Sequence, residues 1–365
     1  MSSRWGTKKP LYALRNSVYS NQWLVCFEFQ GLLPSFLVQF FSHPNTNRYS
    51  QCLPQTVTTT TTTTTTRTTS TTSQTSSTTS VSTSSSPTTS ATPGSQRFWF
   101  SFGDSYTATG FDIGGTKPNS ANVFGNPAYP GNTACGTVTN WIDEMVVRYN
   151  ESPIYAYNFA ISGATIDNSI VPAFSTSIKS VTEQVGQFIS NLGSKPSYAP
   201  WTSSTAIFSF FIGINDIGMT FCNSYTQGDR TDTLLTAYFN QVQKLYDAGG
   251  RNFLFVNVPP VDRSPLMISQ SSASTEKNII ISYNTKLASK IQAFKSAHSD
   301  VTTYLYDSWS KLTQILNSPQ TYGLQDATSQ GSGSNVAWCN VYHVSPAVHH
   351  LFAQDIQALL AGSGF

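Results

Sequence analysis

Charged side chains are scarce in this sequence, and their scarcity excludes some classes of protein. Lys, Arg, Asp and Glu together make up 10% of the 365 residues, and the formal net charge is +2. Nucleic-acid binding depends on a basic surface that neutralises phosphates, so we expect no nucleic-acid partner. Low charge combined with many Ser, Thr, Asn and aromatic residues is typical of secreted proteins, which predicts an extracellular location.

Long apolar runs are also absent, and none could span a bilayer, so we expect no membrane partner. A clear signal peptide is absent as well, since such a signal places a short basic segment directly before an apolar run. Here Lys8-Lys9 precedes a mixed segment, and the most apolar run, residues 31–41, comes late. The extracellular prediction therefore depends on composition.

Cysteines are few and widely spaced, which argues against a zinc site. In a secreted protein some of them would form disulfides, and the odd count leaves at least one without an intramolecular partner. We expect neither a metal nor a cofactor. The five positions are Cys26, Cys52, Cys135, Cys222 and Cys339.

Residues 45–54 resemble the C-terminal end of a fungal-type cellulose-binding module, whose last strand carries Tyr-Ser-Gln-Cys-Leu. Tyr49 and Gln51 match sugar-facing positions of that family. The rest of such a module is not evident upstream, and domains this small need their disulfides intact. We therefore interpret residues 1–55 as an irregular segment ending in a truncated remnant, and the resemblance implies at most a weak cellulose contact.

The next stretch, residues 56–96, is a Thr/Ser-rich tract with almost no apolar side chains. Such a chain cannot bury enough surface to offset the entropy of ordering, which predicts disorder. It could be a simple tail or an O-glycosylated linker between two modules. Its position between the remnant and a strand-rich region favours the linker, and the remaining residues, 97–365, form the predicted globular domain.

Short apolar runs alternate with amphipathic stretches throughout residues 97–365, a pattern that predicts a parallel sheet with helices on both faces. We expect a three-layer α/β/α sandwich with about five strands. The last helix should begin near Ser345-Pro346, with Ser as its N-cap. The predicted strands are 98–102, 155–160, 205–212, 252–258 and 302–306, and the other predicted helices are 137–149, 177–192, 231–248 and 275–298.

Small and polar residues follow the first three predicted strands, and a histidine precedes the last helix. Ligands of open α/β sheets bind outside the carboxyl ends of the strands, so these positions are candidates for a shared site. Considered alone, each position also has a purely structural interpretation: a residue in a turn, an Asx turn, or a histidine whose hydrogen bonds serve only the structure. The candidates are Ser105, Gly163, Asn215 and His343.

In this order, the four positions resemble the GDSL, or SGNH, hydrolase family, which is named for Ser, Gly, Asn and His in successive blocks. The resemblance implies the flavodoxin-like fold of that family. The sequence around the blocks is similar to that of the fungal acetylesterases of carbohydrate esterase family sixteen. The blocks are Gly103-Asp-Ser-Tyr, Asn158-Phe-Ala-Ile-Ser-Gly-Ala, Gly213-Ile-Asn-Asp and the region of His343, and the closer likeness lies in Asn140-Trp141, residues 258–265 and Tyr322-Gly.

The resemblance implies a role for each residue. Ser105 would be the nucleophile and His343 its base, because a serine hydroxyl needs a base within hydrogen-bond reach. The oxyanion hole would consist of the backbone N–H groups of Ser105 and Gly163 and the side-chain amide of Asn215. The expected activity is that of a secreted serine esterase that removes acetyl groups from plant cell-wall carbohydrates, acting on an acetylated oligosaccharide or hemicellulose.

One position departs from the family pattern. The residue three before the catalytic histidine is usually Asp, and here it is Asn340. We assign Asn340 to the catalytic group at the usual Asp position, although another carboxylate could orient His343 instead. The candidates for that alternative are Asp307, Asp326 and Asp355, while His349 and His350 are alternatives for the base itself.

Two other functions fit the same sequence. A lipase or phospholipase of the same superfamily would share the four blocks but act on long acyl chains. A non-catalytic wall-binding protein would explain Asn340 as a sign of a decayed site. The intact Ser105, Gly163, Asn215 and His343 argue against decay.

The cysteines near these blocks suggest one disulfide. Cys222 follows the Asn215 block and Cys339 precedes His343. If the two blocks converge at one site, the sulfurs could come within bridging distance. We therefore expect a Cys222–Cys339 bond with Cys135 unpaired, the alternative being buried thiols.

Overall fold

A computed structural model of the chain describes residues 96–223 and 230–365. The predicted cellulose-binding remnant and nearly all of the predicted linker lie outside the described residues. In the described part, none of the helices is long and apolar enough to cross a membrane.

Five parallel strands form the central sheet, in the order β2-β1-β3-β4-β5. This confirms the predicted parallel sheet. The strands are mostly apolar because both faces of the sheet are covered, and β1 and β3 are buried along their whole length, including Ser101 and Ser209. The strands are β1 (Arg97–Gly103), β2 (Ile154–Asn158), β3 (Ala206–Phe211), β4 (Asn252–Val256) and β5 (Thr302–Tyr306).

Seven α-helices accompany the sheet in the described residues. Ser345 caps the last one as predicted, since its side chain accepts a hydrogen bond from the backbone N–H of Val348. The first helix begins later than predicted because Asn140 forms its N-cap. The helices are α1 (Trp141–Val147), α2 (Val181–Leu192), α3 (Ile214–Thr220), α4 (Thr231–Asp247), α5 (Ala273–Ala297), α6 (Ser308–Asn317) and α7 (Pro346–Leu360).

The helices cover both faces of the sheet, as successive side chains of β1 show. The Trp99 ring contacts Trp141 of α1, with ring centroids 6.2 Å apart. The neighbouring Phe100 points the other way and contacts Phe188 of α2 at 4.8 Å. Because strand side chains alternate between faces, α1 and α2 lie on opposite sides. The three-layer α/β/α sandwich is therefore confirmed.

The predicted Cys222–Cys339 disulfide is wrong, because Cys339 is bonded to Cys135, with Cα atoms 5.6 Å apart. Cys222 is half-buried in a short 3₁₀ turn directly after α3. Six residues, most of them helical, lie between Asn215 and Cys222, and a helix advances about 1.5 Å per residue. Cys222 is close in sequence to the Asn215 block, but it is not the residue that bonds to Cys339. Cys135, which lies in a turn far away in sequence, forms that bond instead.

Candidate active site

The carboxyl ends of β2, β1 and β3 lie side by side, and the segments that follow them are joined by hydrogen bonds. The backbone N–H of Ile161 donates to the carbonyl of Gly103 at 3.1 Å. The side-chain amide of Asn215, in the first turn of α3, donates to the carbonyl of Ala164 at 2.9 Å. The turn with Ser105, the loop with Gly163 and the helix with Asn215 therefore meet at one edge of the sheet.

Ser105 and His343 are in direct contact, although 238 residues separate them. The Nε2 atom of His343 lies 2.8 Å from the Oγ atom of Ser105. Both residues are buried, with 5% of Ser105 and 3% of His343 exposed. A neutral imidazole that accepts the serine proton through Nε2 must carry its own proton on Nδ1. The tautomer therefore depends on what Nδ1 contacts.

Asn340 provides that contact. Its Oδ1 atom lies 3.0 Å from Nδ1 of His343, and it also accepts the backbone N–H groups of Tyr342 at 3.0 Å and His343 at 2.9 Å. Its Nδ2 atom donates to the carbonyl of Ala134 at 3.3 Å. Because backbone N–H groups only donate and carbonyls only accept, these partners determine which way the amide points. The amide oxygen therefore faces the imidazole.

The three alternative carboxylates are engaged by other neighbours. Asp307 caps α6 and accepts a hydrogen bond from Asn257 at 2.7 Å. Asp326 accepts the hydroxyl of Ser329. Asp355 forms an ion pair with Lys311 at 2.9 Å. Asn340, not one of these carboxylates, is the residue that the structure places on Nδ1 of His343.

Burial determines the protonation of the histidines around the site. It lowers the pKa of His343 from 6.5 to about 4, because a charged imidazolium is costly away from water. The pKa of His349 is lowered to about 3, mainly by burial and also by the nearby His343. His349 packs against Tyr106, and Nδ1 of His350 lies 3.1 Å from Glu144. His343 is thus neutral at neutral pH, and its Nε2 atom contacts Ser105.

Two buried carboxyl groups flank the candidate residues and were not singled out from the sequence. Asp104, next to Ser105, has its pKa raised to about 8, chiefly by burial and further by the charge of Asp216. Asp216, next to Asn215, has its pKa raised to about 7 by burial, although it accepts the backbone N–H of Ile166. Their burial depends on tertiary packing, so no local pattern could have indicated it.

Gly163 has a conformation and surroundings that require glycine. Its φ angle is +82°, in the left-handed region that other residues rarely adopt. A Cβ atom at this position would lie 2.4 Å from a ring carbon of Phe174. The Phe174 side chain is 61% exposed although it packs against the Gly163 backbone. An open aromatic surface therefore borders the site, and no sequence motif had indicated it.

Fold and site together define a three-layer α/β protein with a serine–histidine pair at the carboxyl edge of a parallel sheet. Residues 100–356 match the GDSL-like Lipase/Acylhydrolase family. The chain belongs to this family, and it is a carboxylic ester hydrolase.

Several known proteins are similar to the chain. An acetylesterase of Thermothelomyces thermophilus is 37% identical over 74% of this chain and 90% of its own length. An acetylesterase of Hypocrea jecorina is 28% identical over 44% of this chain and 47% of its own, and a GDSL esterase/lipase of Arabidopsis thaliana 25% over 49% and 50%. A solved acetylxylan esterase from Geobacillus stearothermophilus covers 75% of this chain and 96% of its own, with 14% identity and a TM-score of 0.41.

Proposed function

We propose that the protein is a secreted serine esterase that hydrolyses acetyl esters of plant cell-wall carbohydrates. The observation that carries the proposal is the 2.8 Å contact between Oγ of Ser105 and Nε2 of His343. A hydroxyl becomes an effective nucleophile when a neutral base accepts its proton within hydrogen-bond distance. The amide oxygen of Asn340 on Nδ1 keeps Nε2 unprotonated and facing the serine.

In the proposed reaction, Oγ of Ser105 attacks the ester carbonyl while Nε2 of His343 takes its proton. The bond to the alcohol then breaks, and the imidazolium returns the proton to the departing alcohol. A water molecule, activated by the same imidazole, hydrolyses the acyl-serine and releases the acid. Each step uses groups of the protein, the substrate and water.

The developing oxyanion would be stabilised by three donors. These are the backbone N–H groups of Ser105 and Gly163 and one N–H of the Asn215 amide. The other N–H of Asn215 is used for the carbonyl of Ala164, which holds the amide in place without exhausting its donors. Preorganised donors of this kind commonly supply a large part of the rate enhancement.

Two observations support acetyl esters of carbohydrates as the substrates. The relative from Thermothelomyces thermophilus is named an acetylesterase, and this chain matches 90% of that relative's length. The exposed Phe174 ring, next to Gly163, offers an aromatic surface to the part of a substrate that projects from the site. We infer that this part is the sugar that carries the acetyl group.

The remaining elements of the proposal concern location and the N-terminal part. Low charge and the Thr/Ser-rich tract support an extracellular protein, in which residues 56–96 act as a linker. The remnant at residues 45–54 would add a weak cellulose contact. Neither element is needed for the chemistry at Ser105.

A lipase or phospholipase remains the second candidate, because the family and several relatives are named for lipase activity. Hydrolysis of p-nitrophenyl acetate, p-nitrophenyl palmitate and acetylated xylo-oligosaccharides separates the candidates. We expect activity on the acetates and little on the palmitate. The reverse preference would identify a lipase, and inactivity on all three would support a non-catalytic protein.

Ser105→Ala tests the nucleophile. We expect kcat on p-nitrophenyl acetate to fall by about 10⁴-fold or more, as for the loss of other catalytic serines, with an unchanged melting temperature. A fluorophosphonate should label the native protein at Ser105, as located by peptide mass spectrometry. Stoichiometric labelling at another serine would contradict the assignment.

A further inference from the structure

Two tight turns from distant parts of the chain meet beside His343. In the first turn, Thr133 and Gly136 exchange backbone hydrogen bonds of 2.9 and 3.1 Å. In the second turn, the N–H of Cys339 donates to the carbonyl of His343 at 2.9 Å, which closes a loop that carries Asn340. The second turn therefore holds both His343 and its partner in one compact unit.

A disulfide and a hydrogen bond connect these turns at adjacent positions. The disulfide joins Cys135 to Cys339 across 204 residues of sequence. The hydrogen bond joins the carbonyl of Ala134, one residue before Cys135, to Nδ2 of Asn340, one residue after Cys339. The disulfide therefore lies directly beside the hydrogen bond that holds the Nδ2 end of the Asn340 amide.

We propose that the Cys135–Cys339 disulfide is a positioning element for catalysis, which holds the Ala134 carbonyl against Asn340 and, through Asn340, aligns His343 with Ser105. The inference rests on the proposed roles of Ser105 and His343. It assigns a function to a first turn that contains none of the family's named residues.

The strength of the contacts explains why the covalent bond matters. A hydrogen bond between partly buried groups contributes little net stability, because both groups bond to water in the unfolded chain, so the Ala134–Asn340 contact alone is a weak restraint. The disulfide keeps Ala134 and Asn340, the two partners of this hydrogen bond, close together even when the surrounding chain moves. Small displacements at a catalytic group are costly, since a shift of about 1 Å can reduce turnover by about 10²-fold.

A purely structural role is the competing explanation, because a disulfide that closes a long loop also stabilises by constraining the unfolded chain. That role predicts a lower melting temperature and fewer folded molecules, but unchanged turnover per folded site. The positioning role predicts lower turnover per site, and it predicts that the loss is transmitted through Asn340. A double-mutant cycle separates the two explanations.

The cycle compares the native protein, Cys135→Ser/Cys339→Ser, Asn340→Ala and the triple variant. Active sites are counted with a fluorophosphonate, and kcat and KM are measured on p-nitrophenyl acetate. We expect kcat per titrated site to fall by about 10-fold in the double variant, with KM nearly unchanged. In the Asn340→Ala background, loss of the disulfide should change kcat less than two-fold. Cys222→Ser, which leaves the disulfide intact, is the matched control.

Multiplicative effects of the disulfide and Asn340 would overturn the proposal, as would an unchanged kcat per site in the double variant. Both outcomes differ from failure of the proposed function, in which Ser105→Ala would retain activity. If the double variant does not fold, reduction of the folded Cys222→Ser protein replaces it. Dithiothreitol supplies two electrons and two protons, the S–S bond becomes two thiols, and the reagent becomes its cyclic disulfide.

The reduction experiment has its own two outcomes. Mass spectrometry confirms that Cys135 and Cys339 are thiols while the protein remains folded. We then expect kcat per titrated site to fall by about 10-fold and to recover after reoxidation with oxidised glutathione. Full activity in the reduced, folded protein would overturn the proposal.

Discussion

The imidazole Nδ1 of His343 lies 3.0 Å from the amide oxygen of Asn340, a neutral group where the family usually has a carboxylate. A neighbouring negative charge would favour the imidazolium and raise the pKa of the histidine. Burial instead lowers the pKa of His343 to about 4. The imidazole therefore remains neutral in mildly acidic solution, as its proposed role as the base for Ser105 requires.

We predict that kcat/KM for p-nitrophenyl acetate stays nearly constant from pH 7 down to about pH 5 and falls near pH 4, where His343 becomes protonated. Asn340→Asp should move this acid limb to higher pH, by at least one unit, because the carboxylate stabilises the imidazolium. The measurement is a pH–rate profile of both proteins, restricted to pH values at which each remains folded.

The plateau of the same profiles gives separate information. Where the base is neutral in both proteins, a higher kcat for Asn340→Asp would mean that the native site lacks a useful charge. An unchanged kcat would mean that another group already orients or stabilises the ring. An acid limb at the same pH in both proteins would contradict the contact between Asn340 and His343.

The sequence could predict the elements that depend on local patterns. The strand Phe98–Phe102 stands out as an aromatic run before a turn, and Ser345 stands out as a cap because Pro346 follows it. The predicted strand 98–102 differs from the observed β1 by one residue at each end. Four blocks in the right order were sufficient to predict the sheet edge at which Ser105 and Asn215 lie.

Features that depend on tertiary contacts could not be predicted in the same way. The turn with Cys135 lies beside Cys339 only in the folded chain, and nothing in residues 133–136 indicates its partner. Helix α3 was missed because it has seven residues and contains Gly218, which weakens a helical pattern. The side chain of Gln184 binds both backbone groups of Gly103, a contact that no short motif encodes.

Gly163→Ala tests the candidate oxyanion hole. The φ angle of +82° and the 2.4 Å approach to Phe174 mean that a Cβ must displace either the backbone or the ring. We expect kcat to fall by about 10²-fold, the usual loss for one oxyanion donor, with a smaller change in KM. The measurement is steady-state kinetics on p-nitrophenyl acetate, with fluorophosphonate titration to count folded sites.

The double variant Gly163→Ala/Phe174→Ala is the control for that prediction. It removes the ring that the new Cβ would meet but leaves the unfavourable φ angle. If steric contact with Phe174 causes the loss, kcat should recover partly in the double variant. Native turnover in Gly163→Ala itself would show that the backbone at this position is not part of the oxyanion hole.

Buried carboxyl groups determine how the stability of the fold should depend on pH. Burial raises the pKa of Glu276 in α5 to about 8, and its Oε2 accepts no hydrogen bond from the described residues. A carboxyl group with a raised pKa binds more protons in the folded than in the unfolded chain, so its contribution to the free energy of unfolding decreases as pH rises. Groups that behave in the same way are Asp104, Asp143 and Asp216.

The buried histidines have the opposite effect but in a lower pH range. His343 and His349 have lowered pKa values of about 4 and about 3, so their contribution increases as pH rises to about 6.5 and is constant above it. Between about pH 6.5 and pH 8, the two histidines no longer change the free energy of unfolding. Of the groups named here, only the four carboxyl groups still change it in that range. We therefore predict that the melting temperature is highest in mildly acidic solution and decreases from pH 6.5 to pH 8.

Glu276→Gln tests the origin of this decrease, because glutamine stays neutral at every pH. One proton that is bound in the folded state and absent in the unfolded state changes the free energy of unfolding by about 1.4 kcal/mol per pH unit. The variant should therefore show a shallower decrease above pH 6.5, by up to that amount, in urea unfolding at several pH values. Asp232→Asn, at a solvent-exposed carboxylate that pairs with Lys286, is the matched control and should keep the native slope. A native slope in Glu276→Gln would mean that Glu276 is ionised in the folded protein.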